Sequence, residues 1–107
     1  MYQDNIVLCG ASSYEQKYYF NQDFASLPEA VKQELQIMCV LFTEDVGGIF
    51  QLVFSETGEL EFRTSCDEND LLYDEIGCGL KIRQLQQTKQ ELLEALQMYY
   101  KVLYVGI

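Results

Sequence analysis

Histidine and tryptophan are absent from the 107 residues, and proline occurs once, at Pro28. Without histidine no Cys–His pair can activate a nucleophile, and the imidazole ligands common at zinc sites are missing too. Cysteine is thinly spread: Cys9, Cys39, Cys66 and Cys78 form no close pair. That spacing argues against a zinc site, and no metal or cofactor is expected. Basic residues are scarce as well, seven Lys and Arg against seventeen Asp and Glu, for a formal charge of −10. No two of the seven are adjacent. Nucleic acid is therefore not expected as a partner, since phosphate contacts need clustered bases. No run approaches the ~20 apolar residues that span a bilayer. The opening "MYQDNIVLCGASS" has no basic stretch, and its apolar run, Ile6 to Cys9, is too short for a signal peptide. The expectation is a cytoplasmic protein, away from membranes, with reduced and largely structural thiols.

What is present fits a single globular domain over 1–107: 49% apolar residues, with eight Tyr and six Phe as bulky core material. The acids are uneven. Between Glu56 and Glu75 eight carboxylates face Arg63 alone, whereas from Leu80 to Lys101 the bases Lys81, Arg83, Lys89 and Lys101 outnumber Glu91 and Glu94. A solvated acidic surface is the plain reading; a patch for a basic partner or a cation is the sharper one.

The apolar run Asn5 to Cys9 reads as a strand, "GASS" as a turn, and the alternating aromatics of Tyr14 to Phe20 as the second strand of a hairpin. A helix follows, with Ser26 as N-cap and Pro28 in its first turn. Leu27, Val31, Leu35, Met38, Cys39 and Phe42 make one helical stripe. Ile37, Val40 and Leu41 widen that stripe, so the stretch Ile37 to Phe42 is either deeply buried helix or a strand. "TEDVGG" ends the helix. Ile49 to Phe54 and Glu59 to Thr64 flank "SETG", a loop of hairpin length. From Asp74 to Tyr104 the pattern is helical again, with Ile82, Leu85, Leu92, Leu96, Tyr99 and Leu103 on one face and Gly106 at the expected stop. The fold class is α+β: an antiparallel sheet of about four strands in ββαββα order with two helices, the C-terminal one long.

"DEIGCGLKIR", from Asp74, suggests a phosphate loop at first sight. Acids precede its glycines and no Gly-Lys-Ser/Thr follows, so phosphate is unsuited. Cys78 is a candidate reactive thiol: a helix N-terminus with Lys81 and Arg83 would lower its pKa, while Asp74 and Glu75 would raise it. The structural alternative makes Asp74 a helix cap and lets Gly77 and Gly79 bring the first turns close to a neighbouring backbone. "DENDLLYDE" carries carboxylates enough for calcium but lacks the spacing of a calcium loop. No catalytic residue can be singled out among seventeen acids. The residues point away from an enzyme without closing that case.

The phrases "LPEAVKQEL", "FTEDVGG" and "YDEIGCGLKIRQLQ...ELLEALQMYY" resemble a small family of short acidic proteins of anaerobic Gram-positive bacteria, a domain of unknown function. The likeness runs from Asn5 to Tyr100. It implies a bacterial cytoplasmic protein without assigned activity and supplies no site residues.

The expected function is a non-enzymatic interaction or regulatory module acting on protein partners. The alternatives are a small-molecule-binding or sensing domain, with Tyr14, Tyr18 or Tyr73 in its pocket, and a cysteine-dependent redox protein. A homodimer is also expected. An unbroken helix from Asp74 to Tyr104 would be about 46 Å long and would overhang a compact domain of this size. Its apolar end, with Leu96, Tyr99, Tyr100 and Leu103, would then be the dimer interface.

Overall fold

A computed structural model describes residues 5–105, with Val105 as backbone only, so Gly106 lies outside the described residues. Strands β1 (Ile6–Ser12), β2 (Lys17–Phe20), β3 (Ile49–Phe54) and β4 (Leu60–Ser65) form one antiparallel sheet in the order β2-β1-β3-β4. Helix α1 (Glu29–Val46) joins the two hairpins, and α2 (Glu75–Thr88) and α3 (Gln90–Tyr100) follow β4. The α+β class and the four antiparallel strands are as expected. The helices number three among the described residues, and the order is ββαββαα.

Local sequence explains the strands, with two revisions. The pair β3–β4 is where alternation put it, β4 beginning one residue later than expected. Strand β1 does not stop at Cys9; it continues through Gly10, Ala11 and Ser12. Gly10 is there because the sheet centre leaves no room: a Cβ would lie 2.8 Å from the carbonyl oxygen of Phe50. The turn falls instead on 13–16 and closes on Gln16, whose φ of 53° is left-handed. Tyr14 is therefore a turn residue and not part of β2.

Helix α1 starts at Glu29, with Pro28 at the cap position and no side-chain cap. Ser26 is not the cap; its hydroxyl bonds to that of Tyr99 at 2.9 Å. The stretch Ile37 to Phe42 is helical, and the helix runs on through "TEDV" to Val46, where Gly47 ends it. Its buried stripe is Leu35, Met38, Cys39, Phe42 and Val46. Ile37 and Leu41 depart from the expectation of deep burial, being 59% and 52% exposed.

The long C-terminal helix breaks at Lys89, whose ψ of 21° takes it out of the helix. Neither Gly77 nor Gly79 is responsible, for both lie inside α2. At the break the Thr88 hydroxyl donates back to the carbonyl of Gln84 at 2.9 Å, a bond that bends helices. Lys89 reaches across to Glu34 on α1 at 2.9 Å. The bend lays α3 over the sheet, where Tyr100 stacks on Phe54 with centroids 4.2 Å apart. A π-helical turn, Lys101–Val105, follows. The straight overhanging rod that suggested a dimer is thus replaced by two shorter helices. Phe50, Leu52 and Phe54 share a sheet face and meet Phe42 of α1 and Tyr100 of α3, so both helices cover the same face.

Asp74 caps α2 as expected, accepting from the amide of Gly77 at 2.8 Å. A Cβ on Gly77 would collide with that carboxylate, whereas Gly79 has nothing near it. The close approach to a backbone expected of these glycines is absent; Gly77 makes room for its own cap.

Two glycine substitutions should go in opposite directions. Gly79→Ala fills open space in a helix and should raise stability by about 0.5–1 kcal/mol. Gly48, at φ 71°, leaves no space for a Cβ beside the Ser65 carbonyl and the Tyr73 ring, so Gly48→Ala should cost more than about 2 kcal/mol. Urea unfolding of both variants checks the pair. A loss of stability on Gly79→Ala would show that its side of α2 is occupied.

Candidate functional site

Helices α1 and α2 run antiparallel, because Lys81 pairs with Asp45 at 2.6 Å and Lys89 with Glu34 at 2.9 Å. Between these two bridges lies a groove of about 460 Å³. Met38 and Phe42 of α1 form its buried floor, and Leu85 of α2 is partly buried against the same core. Ile37 and Leu41 line it from α1 and stand more than half exposed. The rise from Glu34 to Asp45 makes the groove about 16 Å long, three helical turns. Each bridge is part-exposed and contributes about 0.2–1 kcal/mol at most, so the two mark the ends of the groove more than they hold it together.

The sequence did not single out this groove. Its signal was the second apolar row Ile37 and Leu41, spaced i, i+4, one position off the buried stripe; only the sheet's position makes that row face outward.

The four thiols are free. Cys9 and Cys39 are fully buried, with sulfurs 3.7 Å apart, and Cys66 is exposed. Cys78, the candidate reactive thiol, is 7% exposed and accepts the Tyr73 hydroxyl at 3.1 Å. Lys81, one of the two bases expected to lower its pKa, is turned to Asp45. No group of three or more His, Cys, Asp or Glu able to hold a metal occurs among the described residues.

The three tyrosines proposed for a pocket have separate fates. The Tyr14 hydroxyl donates to Asp70 and accepts from the amide of Asp67, pinning the acidic segment to the first hairpin turn. That of Tyr73 is used on Cys78. Tyr18 lines a second cleft, about 630 Å³, beside Lys17, Gln36, Thr43 and Glu44. Its hydroxyl is buried without a hydrogen-bond partner. Burial and the adjoining Cys9 and Cys39 thiols push its pKa up. The hydrogen bond shared with Cys9, then burial, push the Cys39 thiol up likewise.

Of the four residues expected at a dimer interface, Leu96 and Tyr100 are buried within the chain and Tyr99 is half-buried against Phe24. Leu103 is exposed, in company with Met98 and Val102. The α3 face that carries Leu96 and Tyr100 is turned onto the core, and Leu103 falls in the π-helical turn that follows α3, so the four do not form one outward face. No helix is long and apolar enough to cross a membrane among the described residues.

Compared with known proteins, the chain matches the family model described as "Family of unknown function (DUF6145)" over residues 5–107. No curated protein and no solved structure matches it.

The buried thiol cluster makes stability depend on alkaline pH. The folded chain holds Cys39 protonated above its ordinary value of 9.0, as it does Tyr18 above 10.0, while the unfolded chain ionises both at the ordinary values. Their contribution is complete below about pH 9 and is lost as pH rises, at up to about 1.4 kcal/mol per pH unit for Cys39. Urea midpoints between pH 8 and 11 should fall accordingly, and less steeply for Cys39→Ala relative to its own value at pH 8. An equal slope in the variant would remove Cys39 as the cause.

Proposed function

The chain belongs to the DUF6145 family, and we propose that it is a non-enzymatic cytoplasmic module that binds a partner protein by taking one of its α-helices into the groove between α1 and α2. The observation that carries this reading is the exposure of Ile37 and Leu41 over an apolar floor. Two antiparallel helices with apolar side chains between them offer a third helix the ridges and grooves of ordinary helix packing. The groove offers little to catalysis: its charged groups Glu34, Asp45, Lys81 and Lys89 are joined in pairs, with no polar side chain buried between them. Four free thiols are in keeping with a reducing compartment.

The second reading, a small-molecule-binding domain, draws on a different place. The unpartnered Tyr18 hydroxyl lies beside the polar cleft bounded by Lys17, Gln36 and Glu44. That cleft is lined mainly by polar groups and its charged side chains are solvated, so the more apolar helix groove is favoured.

Fluorescently labelled amphipathic helical peptides of about 16 residues, sharing a Leu/Ile stripe, test the main reading. Micromolar binding to the full chain is expected. Leu41→Glu should weaken it more than about tenfold, since it places a charge among apolar contacts, while leaving the melting temperature near wild type. Binding unchanged by Leu41→Glu, or no binding up to millimolar peptide, would overturn the groove as the docking site.

A further inference from the structure

Beyond the Lys81–Asp45 end of the groove the surface changes character. Ile76 and Leu80 lie one turn apart on α2 and Leu72 sits in the turn that precedes it; they are 82%, 60% and 91% exposed. The next residue in that row is Gln84, which lines the groove. An exposed apolar strip therefore adjoins this end of the groove, with the polar Gln84 between them. Burial of three such aliphatic side chains would favour an association, against the cost of ordering them.

Carboxylates flank Leu72 and Ile76 along the chain. Asp67, Glu68, Asp70, Asp74 and Glu75 fall within nine residues. Asp70 and Asp74 are engaged in hydrogen bonds with Tyr14, the Leu72 amide and the Gly77 amide. The ion pairs among the described residues join Arg63 to Glu61, Lys81 to Asp45 and Lys89 to Glu34, so none of them neutralises these carboxylates. Charge of one sign beside exposed Leu and Ile opposes association between copies that each carry −10. The same charge favours a partner of opposite sign.

We propose that the helix taken by the groove is basic and amphipathic, and that its Lys and Arg side chains lie over Leu72, Ile76 and Leu80 with their charged ends at the carboxylates of Asp67, Glu68 and Glu75. This rests on the groove reading above and adds the chemistry of the occupant. Long basic side chains suit both halves of the surface: their methylene stems cover the aliphatic side chains and their heads reach the acids. Apolar contact supplies the affinity. The charges supply the choice of partner and a faster association that salt suppresses.

Three peptides with the same Leu/Ile stripe and a polar face of Lys, Gln or Glu separate the two claims. They are titrated at low ionic strength against the full chain and against the variant Asp67→Asn, Glu68→Gln, Glu75→Gln, which leaves the Asp70 and Asp74 hydrogen bonds in place. The Lys peptide should bind roughly tenfold more tightly than the Gln peptide, the Glu peptide should be weakest, and the triple variant should lose the difference. Lys and Gln peptides binding alike would overturn the basic partner and leave the groove standing. Failure of all three to bind would overturn the groove itself. A Lys peptide whose binding ignores Leu41→Glu would reduce the interaction to unspecific charge attraction and overturn the inference.

Discussion

The stacking of Tyr100 on Phe54, with Phe24 against both rings, joins the last helix to the central strands and the first crossover at one point. Aromatic contacts of this kind contribute about 0.5–1.5 kcal/mol each beyond the area they bury, more than the exposed ion pairs along α2 can supply. The helical layer is therefore held down at α3 and α1, while α2 bridges between them. Because α3 must reach Phe54, the chain cannot continue straight from α2. The bend at Lys89 follows from that requirement, and the Lys89–Glu34 bridge fixes where the bent piece meets α1.

This arrangement also explains why the helical layer has an outer groove. Helix α1 spends Leu35, Cys39 and Phe42 on the sheet. Its other apolar row, Ile37 and Leu41, lines the space between α1 and α2, which the two lysine bridges bound at its ends. The floor is shared with the core, so the groove is part of the packing and not an appendage to it.

Much of this was legible from residues alone, and the failures have physical reasons. Strands β3 and β4 alternate cleanly around a Gly-containing loop, and the buried stripe of α1 follows its helical period, so both were readable. The continuation of β1 through Gly10 was not, because glycine reads locally as a turn while its use here is to admit the Phe50 carbonyl. The break at Lys89 has no proline or glycine to announce it; the pull of Tyr100 toward Phe54 is tertiary. The change from α3 to a π-helical turn after Tyr100, equally unannounced, goes with Leu96 and Tyr100 lying inside while Leu103 does not. The groove was hidden for a related reason: Ile37 and Leu41 have core chemistry, and which apolar row faces the sheet is decided by the partner elements.

The Ser26–Tyr99 hydrogen bond and the tilted Phe24–Tyr100 ring contact tie together residues more than seventy positions apart. On the ribosome this has an effect of timing. The four strands and α1 are all synthesised before α3, yet Phe24 and Phe54 remain uncovered until α3 is free to fold back on them. Through that interval the nascent chain carries a finished sequence for its sheet and an unfinished core. Closure of that part of the core waits for α3.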